Sequence, residues 1–438
     1  MSANIAAAGP FPDIVEENLD EAAFLWGRWE TELASLTRNL DEVWSWTEDR
    51  LNGAIDGVLV ARDPLLTQVI DRALSLKELN FHTVAAHLLT VAPDPQARAR
   101  LATLVCEAQG ASLAAMARGI EVSPLDGTFS TVTRALLKNG PQHCAALVRV
   151  KSFQRAKLGD ELAAAYEADT VPEQVIVMRA AGTLPEPAVR DWVERGLAHS
   201  SPAVRIAAVE SGLRQRVRAV WGTAREIAAA QEPGFGASLR LLAMFGKARD
   251  HRVIHDALAD AKAARAVFWA LGHVGTREAV EQCLAAMHDP ARARVAGEAY
   301  ACITGIDLAR ERLTAKESGD TPSLPPFEED DLDADLVPHR EDLWPLPDPT
   351  ACAAHWGRVG AQFEPNTRYL RGKRFDVNVL MAAIDKGPML RRADYALELY
   401  VRTSGACDVE TRAASFAQRR MIAAAHAHLG AAGKAAGK

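Results

Sequence analysis

The sequence predicts an all-α chain, an α-solenoid of two-helix repeats, and three observations carry that reading. The chain has 438 residues, 48% of them apolar. That exceeds what one hydrophobic core usually holds, so several domains or an array are expected. Aromatic residues make up only 6%, while alanine, the best helix former, is abundant and lets helices pack closely. Ala-rich apolar segments also recur at 175–184, 204–213, 238–246, 264–272 and 294–305. With Gly182, Gly212, Gly246, Gly272 and Cys302 as equivalent marks, the spacings are 30, 34, 26 and 30 residues. That period fits one helix pair per repeat. A single pair cannot bury its apolar face alone, so about three or more must stack.

Taken in order, residues 1–12 are small residues with Pro10 and Pro12 and read as disordered. A Trp-rich helical cap follows over 13–61. Its first helix, about 13–35, places Ile14, Leu19, Ala22, Ala23, Leu25, Trp26 and Trp29 on one face. Its second, about 40–61, carries Val43, Trp44, Trp46, Leu51, Ile55 and Leu59. Four tryptophans in two helices of an aromatic-poor chain read as rings sealing the end of an array. The other reading is a partner-binding patch made by Trp26, Trp29, Trp44 and Trp46, because Trp is enriched at interface hot spots.

Residues 62–316 form the array. Turn clusters at Ala92-Pro93-Asp94-Pro95, at 122–127 and at Asn139-Gly140-Pro141 stop one helix and start the next. Ser201-Pro202 and Asp289-Pro290 place an N-cap acceptor before a first-turn proline, where the missing N–H costs nothing. Residues 317–348 hold eleven acidic residues, one basic residue and six prolines, too little apolar surface to offset ordering. They read as a flexible acidic linker. The alternative is a pseudo-ligand whose Leu332, Leu336, Leu343 and Trp344 dock in a basic groove of the protein itself. A C-terminal helical module spans 349–429, with helices at 350–363, 377–386, 389–403 and 409–429. Its connector NTRYLRGKRF is basic, and the tail 430–438 reads as disordered.

The repeats carry a resemblance. Pro, then Val-Arg or Ala-Arg, an Ala-rich helix, Ala-Leu-Gly and a second amphipathic helix is similar to short HEAT-type repeats over 172–306. The N-terminal LDEAAFLW (19–26) and DRLNGAIDGV (49–58) join RYLRGK (368–373) and RRADYALEL (391–399) near the C-terminus. Together these segments resemble an uncharacterised proteobacterial HEAT-repeat family often encoded beside type VI secretion genes. The resemblance implies an adaptor, chaperone or immunity-type binder of a secretion effector or structural component. It supplies no catalytic residues.

The charges narrow the chemistry. A formal net charge of −7 leaves no global basic field for nucleic acid. Six cysteines without a C-x-x-C pair read as reduced thiols and point to the cytoplasm. The N-terminus lacks a basic n-region and an apolar h-region, and no stretch approaches a spanning helix. His251 and His255 stand four apart, but Arg252 replaces the glutamate of H-E-x-x-H and opposes a cation. No metal, cofactor or catalytic residue is therefore expected. Arg179, Arg205, Arg240, Arg265 and Arg294 recur near the start of the Ala-rich helices. Such a ladder either bonds acids of the adjacent repeat or presents a basic stripe to an acidic partner. The expected function is a non-enzymatic protein-binding scaffold. The other readings are an enzyme accessory similar to phycobilin lyases and a HEAT-like nucleic-acid binder.

Overall fold

The computed structural model describes residues 11–61, 64–123, 128–168, 170–185, 187–231, 233–315 and 340–436. The chain is all-α: it is 73% helical, and the described sheet is one two-stranded hairpin. Two compact units comprise 1–220 with 381–438, and 221–380. The expected disordered start and the acidic stretch fall mostly outside the described residues, but Pro12 begins a helix and 340–348 are placed.

The first unit opens with α1 (Pro12–Glu32), which buries Val15, Leu19, Ala22, Ala23, Leu25, Trp26 and Trp29. Ile14, expected on this face, is 53% exposed, and Val15 takes its place. One residue is a 100° rotation on a helix, so two adjacent β-branched residues compete for one stripe. Asn39 caps α2 (Leu40–Val43): its side chain accepts from the Asp41 and Glu42 N–H groups, and Glu42 accepts the Asn39 N–H in return. A π-turn at Trp44–Glu48 leads into α3 (Asp49–Leu59), which packs on α1. The wider turn points both Thr47 and Glu48 inward, where they are fully buried.

The helices α4 (Leu65–Ser75), α5 (Leu79–Val91), α6 (Pro95–Glu107), α7 (Gly110–Glu121), α8 (Thr128–Leu137) and α9 (Pro141–Phe153) follow. Then come α10 (Glu161–Tyr166), α11 (Val171–Ala181), α12 (Ala188–Leu197) and α13 (Pro202–Arg214). Neighbours run in sequence: α5 packs on α7, α7 on α9, α9 on α11 and α11 on α13. Small residues permit the close approach. A Cβ on Gly119 of α7 would lie 2.2 Å from the Thr83 carbonyl oxygen of α5. Asp94 caps α6 by accepting the Gln96 N–H at 2.9 Å. Ser201 holds the N-cap position of α13, but its side chain makes no capping hydrogen bond.

Two later helices complete this unit. The short helix α22 (Arg392–Arg402) meets α13, and α23 (Ser415–Ala436) meets α2. The last helix starts six residues later than expected and runs past Leu429 to Ala436. Arg392 is fully buried and donates to the Ile384 carbonyl at 2.7 Å and to Gln418 at 2.8 Å. Burial pulls its pKa down to about 10.

The second unit contains nearly all of α14 (Val220–Ala230), then α15 (Phe235–Phe245), α16 (Ala248–Asp256), α17 (Ala264–Val274), α18 (Arg277–Ala286) and α19 (Pro290–Thr304). Here α15 packs on α17 and α17 on α19. Every recurrent segment of the sequence thus forms a helix, and Asp289 caps α19 through the Ala291 N–H. Gly275 and Gly305 end α17 and α19 with φ of 65° and 77°, the left-handed C-cap that glycine adopts without strain.

The basic connector NTRYLRGKRF forms a hairpin. Strands β1 (Tyr369–Leu370) and β2 (Lys373–Arg374) flank Arg371 and Gly372, both at positive φ, as in a type I′ turn. This hairpin crosses three helix ends. Arg368 donates to the Met244 carbonyl of α15 at 3.5 Å. The Tyr369 N–H donates to Gly275 at 2.8 Å, and the N–H groups of Arg371 and Gly372 donate to Cys302 at 2.9 Å and Ile303 at 2.8 Å. Carbonyls that a helix C-terminus leaves unpaired are satisfied this way. The segment α20 (Pro349–Val359) packs on α18, and α21 (Val377–Lys386) begins after the hairpin.

Candidate binding cleft

A shallow, open cleft of about 300 Å³ lies in the first unit, lined from α1, α5 and α7 and by Arg412. Each helix contributes one face. Trp26 and Glu30 are one turn apart on α1, Leu79 and Thr83 one turn apart on α5, and Ala111, Ala114, Ala115 and Arg118 share a stripe of α7. The space exists because α7 presents methyl groups where larger side chains would meet α1.

Arg118 organises one end. Its side chain is only 6% exposed and pairs with Glu30 at 2.5 Å and Glu121 at 3.2 Å. It also donates to the Arg412 carbonyl at 2.7 Å, and its guanidinium lies 5.4 Å from the Trp29 ring and 5.3 Å from the Phe153 ring. Arg149 pairs with the far side of Glu121. Arg412 pairs with Glu30 at 3.2 Å and keeps a side chain that is 53% exposed. Next to it, Arg155 engages Asp408 and Glu410. The floor is therefore apolar, and one end offers a solvent-facing guanidinium held in place by a buried ion network.

Behind the cleft the polar groups are closely paired. The Trp26 ring packs tilted at 60° against His87, 5.3 Å between centroids, and the His87 Nδ1 meets the Ser123 hydroxyl at 2.8 Å. Burial pushes His87 down to about 4, so the ring is neutral at pH 7. Trp29 donates to Glu48 at 2.9 Å. Burial raises the Glu48 carboxyl above its ordinary value, against the lowering effect of bonds from Ser415 and Trp29.

The sequence-nominated residues divide among several settings. Trp26 forms a cleft wall, and Trp29 lies in the core beneath Arg118. Trp44 is half-buried with Arg419 over its ring, and Trp46 is 60% exposed with Arg38 over it at 5.0 Å. Among the arginines, Arg179 pairs with Glu210 of the neighbouring α13 at 3.3 Å. Arg205 and Arg240 are half-buried on α13 and α15. Arg265 pairs with Glu341, and Arg294 donates to the Trp344 carbonyl. In the connector, Phe375 lies under Arg368 at 3.8 Å and Tyr369 packs on Phe363, so both rings are engaged by their own unit.

His255 bonds Gln282 at 2.8 Å, and burial lowers His251, aided by His255 and Arg368. Among the described residues no group of three or more His, Cys, Asp or Glu is placed to hold a metal ion, and no helix is long and apolar enough to cross a membrane. Sequence reasoning missed Glu30, Arg118 and Arg412. The available signal was Arg118 itself, an arginine on the apolar stripe Ala111–Ala114–Ala115. No family model matches the chain, and no match was found among curated proteins or solved structures.

Proposed function

We propose that the chain is a non-enzymatic scaffold that binds another protein through the cleft, its helices stacked as HEAT-like repeats. The observation that carries this is the pairing of an apolar floor with the half-exposed Arg412 at one end. Such a site suits a partner segment that inserts an apolar side chain over Trp26 and the α7 alanines. A carboxylate on the same segment then takes the outward donors of Arg412. The family resemblance of the sequence makes a type VI secretion effector or structural component the first partner to test.

The test is paired capture on the full chain. Ala114 is exposed and lines the cleft, so Ala114→Trp fills the space without entering the core. Proteins bound by the wild type are expected to be lost from Ala114→Trp and weakened about tenfold or more by Arg412→Glu, since a charge-assisted bond becomes a repulsion. Identical prey with all three proteins would overturn the cleft as the binding site.

A further inference from the structure

We propose that residues 340–348 are a built-in pseudo-ligand, holding a surface of α17 and α19 that receives an acidic, tryptophan- and proline-bearing segment of a partner. This surface is separate from the cleft and does not depend on it. The bound segment is REDLWPLPD, one 3-10 turn over Arg340–Leu343 followed by a Trp-Pro-Leu-Pro run. Glu341 meets Arg265 of α17 at 2.5 Å, a charge contact rather than an aligned hydrogen bond. The Trp344 carbonyl accepts from Arg294 of α19, and its ring is 5% exposed.

Pro347 lies against Gly297 of α19, where a Cβ would sit 3.0 Å from its Cγ. Only the neck is laddered to the chain: the Ala315 N–H donates to Leu346 at 2.9 Å, and the Asp348 N–H donates to Leu313 at 2.8 Å. A Trp-Pro-Leu-Pro run is already extended, so little order is lost when such a segment docks.

The segment also lies open to exchange. Arg265 is 72% exposed as a side chain, and Leu343, beside the buried Trp344, is 77% exposed. A surface pair of this kind contributes little. Ring burial and the Arg294 bond dominate, and a partner carrying the same three features reproduces both.

The probe is a fluorescein-labelled peptide of residues 340–348 added to the full chain. Wild type is expected to bind it weakly, Trp344→Ala at least tenfold tighter, and Trp344→Ala with Arg265→Glu and Arg294→Ala no better than wild type. If Trp344→Ala fails to fold by circular dichroism, Trp344→Leu, which keeps an apolar side chain but loses the ring, decides in its place. No gain in peptide binding by a folded variant would overturn the proposal. So would a doubling of mass by light scattering, which would assign the surface to the same segment of a second copy.

Discussion

Glu48 caps the helix that begins at Ser415. Its carboxylate accepts the Ser415 N–H at 2.8 and 3.0 Å and the Ser415 hydroxyl at 2.6 Å. Ser415 stands 367 residues further along the chain. The π-turn makes this possible, because it aims Glu48 inward beside Thr47. Glu48→Ala strands the buried donors of Ser415 and Trp29, and a loss of about 2–4 kcal/mol is expected in urea unfolding.

The same carboxylate sets a pH dependence. Glu48 is raised from its ordinary 4.5 chiefly by burial. Its contribution is therefore complete below the unfolded value and fades as pH rises through the folded one. Glu48→Gln keeps an acceptor without the charge. The stability of wild type relative to Glu48→Gln is expected to fall as pH goes from 4 towards 7. A difference that is flat, or that grows with pH, would contradict the assignment.

Asp250 gives the opposite sign. Burial would raise it, but the Arg225 bond at 2.6 Å, the Lys247 N–H at 2.8 Å and the charges of Arg225 and Arg249 together hold it below the usual carboxylate range. Its contribution is present above the unfolded value and is lost as pH falls through the folded one. Asp250→Asn is expected to cost about 2 kcal/mol at pH 7. The gap to wild type should close below pH 4, as read by thermal melts across pH.

Arg118 should be the most sensitive residue near the cleft. Removing it leaves Glu121, itself 2% exposed, with Arg149 alone, and frees Glu30 to Arg412. Arg118→Ala is expected to cost about 1–3 kcal/mol, because the bonds to Glu30, Glu121 and the Arg412 carbonyl are lost while Glu121 keeps Arg149 and Glu30 keeps Arg412. Calorimetry that shows no shift in Tm would place the network outside the folding core.

Gly275 and Gly305 test the hairpin. Alanine at Gly275 would put its Cβ 2.4 Å from the Tyr369 carbonyl oxygen, and at Gly305 2.5 Å from Arg371. Both positions also need positive φ. Each substitution is expected to cost more than the ~1 kcal/mol of the backbone conformation alone. Hydrogen exchange should show the amides of Tyr369, Arg371 and Gly372 losing protection first. Unchanged protection would detach the hairpin from the helix ends.

Local signals were legible in the sequence. The five Ala-rich segments each became a helix, α21 matches its expected bounds, and Gly140 turns at φ 101° before α9. These features depend on spacing, caps and punctuating Gly and Pro. The rest depends on partners distant in the chain. Nothing near Glu48 announces Ser415, and nothing near Arg118 announces Arg412. The hairpin strands are two residues each, too short for alternation to show. Acidity hid the order of 340–348, where one indole and two prolines outweigh the charge. In the candidate site only Trp26 was nominated in advance.

The measurement closest to the central claim is photo-crosslinking in the native cells, with a benzophenone amino acid at Leu79, a large, exposed side chain that already lines the cleft. A control carries the same group at Gly222, around which the structure is open. The expected result is one dominant protein adduct from position 79, absent from the control and abolished by Arg412→Glu. No adduct, or the same adducts from both positions, would contradict a protein-binding cleft.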